Sequence, residues 1–313
     1  RYLSKDSSAR CLDGTSPAYY VRQGSGSGAN KWIVFFEGGG WCYDLEQCNL
    51  RSNTHLGSSK NYPEEMPKWQ MGYYVSADQN INPQMYNWNT VYVKYCDGSS
   101  FAGDTTIKYK VCIPTNFKAT IHGTPMDVSL RTHNMSAATE VVIAGCSAGA
   151  LGVLFGIDQM ADIIQQKARE YGNTHVTVRG LVDSGYFMDY SSFESAKETH
   201  HSYGKDEAVT ATTQKVNVRN LSDFSSESAC MFAAHTVSHI RTPMFLLQPQ
   251  YDQWQILHIY GREYTPEAVN AYGRELVASL KQTLFHSRHP GHGAFVDSCS
   301  HHCTSCSDSS ENT

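Results

Sequence analysis

The stretch Glu140-Val-Val-Ile-Ala-Gly-Cys-Ser-Ala-Gly-Ala150 restricts the fold of this chain more than any other. An apolar run, Val141 to Ala144, enters Gly145-Cys-Ser-Ala-Gly149, and an amphipathic segment leaves it from Ala150 to about Tyr171. The pattern is strand, sharp turn, helix, with G-x-S-x-G at the turn. Such a turn holds its serine in a strained backbone conformation, and neighbours without a Cβ, Gly145 and Gly149, make room for it. The hydroxyl then projects from the top of a sheet beside a helix N-terminus, where developing negative charge is favoured. The same motif also occurs in tight βα turns with no chemistry. Here strand and helix flank it as a nucleophile requires, so Ser147 is the candidate nucleophile.

The rest of the chain supplies more strands and helices. Tyr19-Tyr-Val-Arg22 reads as a strand within an N-terminal hairpin, turned by Gly24-Ser-Gly-Ser-Gly28. Lys31–Phe36 is a continuous apolar strand and Thr90–Tyr95 the next. Lys108–His122 suggests a hairpin, and Asp127 to about His133 a short helix. Val176–Val182 and Pro243–Gln248 are the last clear strands, Glu267 to about Phe285 a helix, and everything from His286 on a loop. Residues 43–85 are polar and turn-rich, a long covering loop with short helical pieces, and 190–228 suit a cap or insertion. Strands alternating with helices predict an α/β fold in a single domain, residues 1–313. It has a mostly parallel central sheet, helices on both faces and long covering loops. Gly38, Cys96, Ser147, Asp183 and Asp252 all follow strand ends and should converge on the sheet edge where such folds bind ligands.

Composition narrows the function classes. The net charge of -5 gives no reason to expect nucleic acid. No apolar run approaches the length of a membrane span. The ten cysteines are scattered over the whole chain, which suits a secreted disulfide protein better than a zinc module. The sequons Asn134-Met-Ser136 and Asn220-Leu-Ser222 point the same way. The sequence starts at Arg1 and shows no signal peptide; earlier removal of one is the expectation. Cys42 and Cys48 are close enough for a local loop staple. Cys146, inside a buried turn, reads as a free, small apolar residue.

A serine nucleophile needs a base, an orienting acid and an oxyanion hole. After Ser147 the strand-end acids are Asp183 and Asp252. Asp252 follows its strand by a short loop, which suits the acid; the alternative is a turn cap. Asp183, in Asp-Ser-Gly, suits a structural hydrogen bond better. The base is sought among His286, His289, His292, His301 and His302. Val296-Asp-Ser-Cys-Ser-His-His-Cys303 is the segment its cysteines can anchor, but adjacency leaves His301 and His302 undecided. The hole needs backbone N–H groups, one from Ala148 and others from Gly38-Gly39-Gly40-Trp41. The same histidines with Cys303 could ligate a metal, but no HExxH occurs and oxidised cysteines cannot bind zinc. The expectation is no metal. Trp41, Trp69, Trp88 and Trp254 lie in or near loops and could stack on sugar rings or simply pack beneath them.

Several motifs in one order resemble the pectin acetylesterase and Notum family of extracellular carbohydrate and lipid deacylases. They are Phe36-Glu-Gly-Gly-Gly-Trp-Cys42, Tyr95-Cys-Asp-Gly-Ser-Ser-Phe-Ala-Gly-Asp104, Gly145-Cys-Ser-Ala-Gly149, Asp183-Ser-Gly-Tyr-Phe187 and Asp297-Ser-Cys299. The resemblance implies an α/β-hydrolase fold without cofactor, with Ser147 as nucleophile and Asp252 as acid. The family's Cys-x-x-His spacing implies His302 as base. It also implies a hole built from Gly39, Gly40 and Ala148, and disulfides Cys42–Cys48 and Cys11–Cys96. The implied substrate is an acetylated polysaccharide such as pectin, or, in the Notum branch, a lipidated protein. A non-catalytic extracellular protein on the same scaffold is the remaining alternative.

Overall fold

The computed structural model describes residues 1–3, 9–42, 44–67, 70, 72–102, 135–189, 231–260, 264–287 and 289–303. The expected hairpin at 108–122, helix at 127–133, sequons at Asn134 and Asn220, cap at 190–228, and Trp69 lie outside the described residues.

Seven strands form one sheet: β1 (Tyr19–Arg22), β2 (Lys31–Phe36), β3 (Asn89–Val93), β4 (Glu140–Cys146), β5 (Thr177–Asp183), β6 (Met244–Pro249) and β7 (Gly293–Asp297). Their order is β1-β3-β2-β4-β5-β6-β7. Only β1 runs antiparallel to its neighbour. Among the described residues the three longest helical segments are α1 (Leu45–Arg51), α2 (Ala148–Glu170) and α3 (Pro266–Ser287).

Two details of the strand layout differ from the sequence reading. Tyr19–Arg22 forms no hairpin with the next strand, because β3 lies between β1 and β2. The Gly24–Gly28 turn therefore carries the chain past a strand that is made only later. The segment after His286 is also not all loop: Gly293-Ala-Phe-Val-Asp297 pairs in parallel with β6, Phe245 opposite Gly293. A half-exposed edge strand this short, starting at a glycine, lacks the apolar run that marks the inner strands.

Those inner strands are apolar on both faces because both faces are covered. Trp32, Val34, Phe36, Val141 and Ile143 point into one core. Leu151, Leu154, Ile157, Met160 and Ile164 of α2 fill it at helical spacing, with Tyr272, Leu276 and Leu280 of α3. Ile33, Phe35, Tyr92 and Ala144 point to the other face. There Val75 and the half-buried Met66, Tyr74 and Met85 of the covering loop pack on them. Lys167 and Arg169 in the last turn of α2 complement its dipole.

The disulfides Cys11–Cys96 and Cys42–Cys48 are present. Cys146 is not free: it bonds Cys303, 157 residues further on, with Cα atoms 5.8 Å apart. The side chain of Cys146 points to the face away from α2, where the C-terminal segment crosses, and nothing local in the sequence marks that approach. In the chain-entropy picture a closed loop of this size disfavours the unfolded state by about 5 kcal/mol.

Two acidic side chains are buried beside the Gly38–Trp41 loop. Glu37 ion-pairs with Lys94 and accepts a hydrogen bond from Tyr95 N at 2.9 Å. Asp97 accepts from Ser99 Oγ and from Phe101 N, but burial outweighs both and pushes its pKa up to about 6. Lys94→Met should strand the Glu37 carboxylate and cost about 3–5 kcal/mol in urea unfolding. Asp97 makes stability fall as pH rises. The unfolded chain loses this proton near 3.8 and the folded one near 6, so the folded state holds more protons in between. Asp97→Asn should abolish that fall between about pH 4 and about pH 6, measured as unfolding free energy against pH.

Candidate active site

The turn between β4 and α2 has the strained geometry its sequence implies. Ser147 has φ 56° and ψ -124°, outside the helix that starts at Ala148. A Cβ on Gly149 would sit 2.1 Å from Phe36 O, and one on Gly145 2.4 Å from Gly149 O. Close approach of the turn to β2 and to itself thus demands both glycines. Ser147 N donates to Asp183 O at 2.9 Å, tying the turn to the end of β5.

Asp252 and His302 meet beyond the end of β6. His302 Nδ1 lies 2.9 Å from both carboxylate oxygens of Asp252, which is fully buried. Asp252 also caps a short helical turn, Gln253–Gln255, accepting from Gln255 N at 2.9 Å. The cap weighed from sequence is therefore present, and the same carboxylate also holds His302. A proton on Nδ1 faces the carboxylate and leaves the Nε2 lone pair open in the neutral ring. His302 Nε2 is buried and has no hydrogen-bond partner among the described residues. It is not bonded to Ser147 Oγ in this structure; such bonds commonly close only with substrate present. Their chain neighbours Cys146 and Cys303 form a disulfide, which ties the two backbones to each other.

The other histidines of the tail have different partners. His301 Nε2 lies 3.1 Å from both oxygens of Asp297, so the structure separates the two adjacent candidates. His292 Nδ1 accepts from Met244 N and its Nε2 faces Ile240 O; its ring stacks on His289, and burial lowers its pKa. His286 Nδ1 faces Gln282 O. Among the described residues no three His, Cys, Asp or Glu side chains form a cluster able to hold a metal. Asp183 is fully buried and acts through its neighbour: Ser184 Oγ donates to Asp183 Oδ1 and accepts from Cys303 N at 2.8 Å. Cys299, expected to help anchor this segment, is an exposed free thiol.

Gly39 and Gly40 adopt φ 144° and 61°, conformations that favour glycine. Arg51 Nη2 donates to Gly39 O at 2.6 Å. Because a trans peptide sets N–H opposite C=O, the Gly40 N–H points away from Arg51. The loop is held from behind by Cys42, which bonds Cys48 and donates its N–H to Gly98 O at 3.1 Å.

Sequence reasoning missed the polar support behind Asp252. Gln248 Nε2 donates to Asp252 Oδ2 at 3.2 Å, while its Oε1 accepts from Tyr186 N. Gln255 Oε1 accepts from Met188 N and Tyr272 OH, and its Nε2 donates to Tyr186 O. The available signal was a glutamine closing the otherwise apolar Met244–Leu247 run. An aromatic wall also flanks His302. Trp41, Phe187 and Trp254 contact one another with centroids 5.2–5.4 Å apart, and Trp254 stacks on His302 at 6.0 Å. Trp88 instead is buried, with Lys31 over its ring.

A family model described as Pectinacetylesterase matches residues 2–312. Pectin acetylesterase 5 of Arabidopsis thaliana is 32% identical, over 96% of this chain and 72% of its own length. The palmitoleoyl-protein carboxylesterase notum2 of Xenopus laevis is 30% identical, over 90% of this chain and 59% of its own. The palmitoleoyl-protein carboxylesterase NOTUM of Schmidtea mediterranea is 28% identical, over 94% and 55%. With nearly its whole length matched, the chain belongs to the pectinacetylesterase family.

Proposed function

We propose that this protein is a secreted serine carboxylic-ester hydrolase that removes acetyl groups from a polysaccharide such as pectin. The observation that carries the reading is the buried Asp252–His302 pair, its Nε2 unsatisfied beside the strained Ser147 turn. His302 Nε2 takes the hydroxyl proton as Ser147 Oγ attacks the ester carbonyl. Asp252 fixes the ring and stabilises its charged form. Backbone N–H groups of Gly39, Gly40 and Ala148 receive the oxyanion, an interaction worth about 3–4 kcal/mol per donor. The protonated ring then gives its proton to the departing sugar hydroxyl. Water, activated at the same nitrogen, releases acetate and restores Ser147.

The aromatic wall supports a short acyl group. Three rings in mutual contact beside His302 would narrow an acyl site that they line. The 32% identity to a protein named as a pectin acetylesterase supports the polysaccharide. Secretion is supported by three disulfides, and no helix among the described residues is long and apolar enough to cross a membrane. Removal of a fatty acyl group from a lipidated protein is the second reading, favoured by the carboxylesterase relatives.

Hydrolysis of p-nitrophenyl esters from acetate to palmitate separates these readings. Turnover should peak at acetate and fall at least about 10⁴-fold in Ser147→Ala. A peak at long chains would transfer the assignment to the lipid deacylase, and no turnover on any ester would leave a non-catalytic protein. Trp254→Ala should move the optimum to chains several carbons longer, read as the ratio of kcat/KM between octanoate and acetate. An unchanged ratio would remove the aromatic wall as the limit on chain length.

A further inference from the structure

We propose that the Cys146–Cys303 disulfide is a positioning element of the catalytic pair and not only a staple of the fold. The inference rests on the serine-esterase reading above. Cys146 directly precedes the nucleophile and Cys303 directly follows the base, so one covalent bond joins the two backbones whose side chains must meet.

The need for such a tie follows from how His302 is held. β7 ends at Asp297, and the chain then leaves the sheet for its last described residues. Two backbone hydrogen bonds anchor residues 301–303, Gln253 N to His301 O at 3.1 Å and Cys303 N to Ser184 Oγ at 2.8 Å. Asp252 grips Nδ1 and Trp254 stacks on one face of the ring, which leaves the advance of Nε2 toward Ser147 to the backbone. That backbone is in a disfavoured conformation. Cys303 has φ 62°, and the residues it is tied to, Ser184 and the Cys146–Ser147 turn, include φ 50° at Ser184 and 56° at Ser147. Three non-glycine residues in the left-handed region thus meet at one point, linked by a disulfide and a hydrogen bond. Strain gathered there persists only if the surroundings over-determine it. Cutting the S–S bond releases Cys303, and the segment can relax toward ordinary dihedrals, turning Nε2 away from Ser147 Oγ. A displacement of about 1 Å between reacting groups can cost about 100-fold in rate.

The test compares Cys146→Ala/Cys303→Ala with Ile164→Ala, which opens a cavity in the far half of α2 and destabilises the fold away from Ser147 and His302. Short esters are the substrate, and near-UV circular dichroism counts the folded fraction. The first variant should lose about 100-fold in kcat per folded molecule with KM within threefold. The second should lose Tm and keep kcat within twofold. An unchanged kcat in the folded first variant, with Tm lowered, overturns the proposal, because a fold staple alone predicts that result. Should the first variant not fold, the wild type is titrated with dithiothreitol. The disulfide takes up two electrons and two protons, Cys146 and Cys303 become thiols, and the reagent closes to its cyclic disulfide. Loss of turnover at constant near-UV signal, in step with labelling of these two cysteines and reversed by reoxidation, supports the proposal. Full activity with the pair reduced, or loss only in step with unfolding, overturns it. A wild type inactive on every ester would instead sink the esterase reading itself.

Discussion

Asp252 is a carboxylate with no exposure, and keeping it inside the protein governs the arrangement of everything around β6. Taking a lone carboxylate out of water costs several kcal/mol unless its oxygens are satisfied. Here a backbone N–H, a glutamine side chain and an imidazole do so. Each donor carries its own requirement. Gln248 and Gln255 are buried amides whose remaining atoms are spent on Tyr186, Met188 and Tyr272, and Tyr186 OH in turn meets Ser279 and Thr283 of α3. The acid is therefore wired into the packing of a long helix, and its orientation is set by the fold rather than by local turn geometry.

The central strands and both long helices were legible because their signals are local. An unbroken apolar run such as Trp32–Phe36 can be satisfied only between two covered faces, and α2 shows its buried side in the spacing of Leu151, Leu154, Ile157 and Met160. What escaped was relational. No property of Tyr19–Arg22 reveals that its partner is β3, and β7 has too few apolar residues to stand out from a glycine-rich tail.

The same division holds at the site. The strained turn at Ser147 was legible from its motif, and the placement of Asp252 from its short loop past β6. The tie between His302 and Asp252 spans 50 residues and needed the folded chain, or a family spacing, to separate His302 from His301. Cys146 was misread because burial and a small side chain describe a packed thiol and a disulfide equally well. Only the position of Cys303 distinguishes them.

That bond also sets an order of events during biosynthesis. A chain made from its N-terminus presents Cys11, Cys42, Cys48 and Cys96 early, and their two bridges close within the first hundred residues. Cys146 then waits 157 residues for its partner, a thiol adjoining a preformed serine turn but with no base yet made. Ser147 and His302 are thus joined covalently, through their neighbours, only after residue 303 has been made.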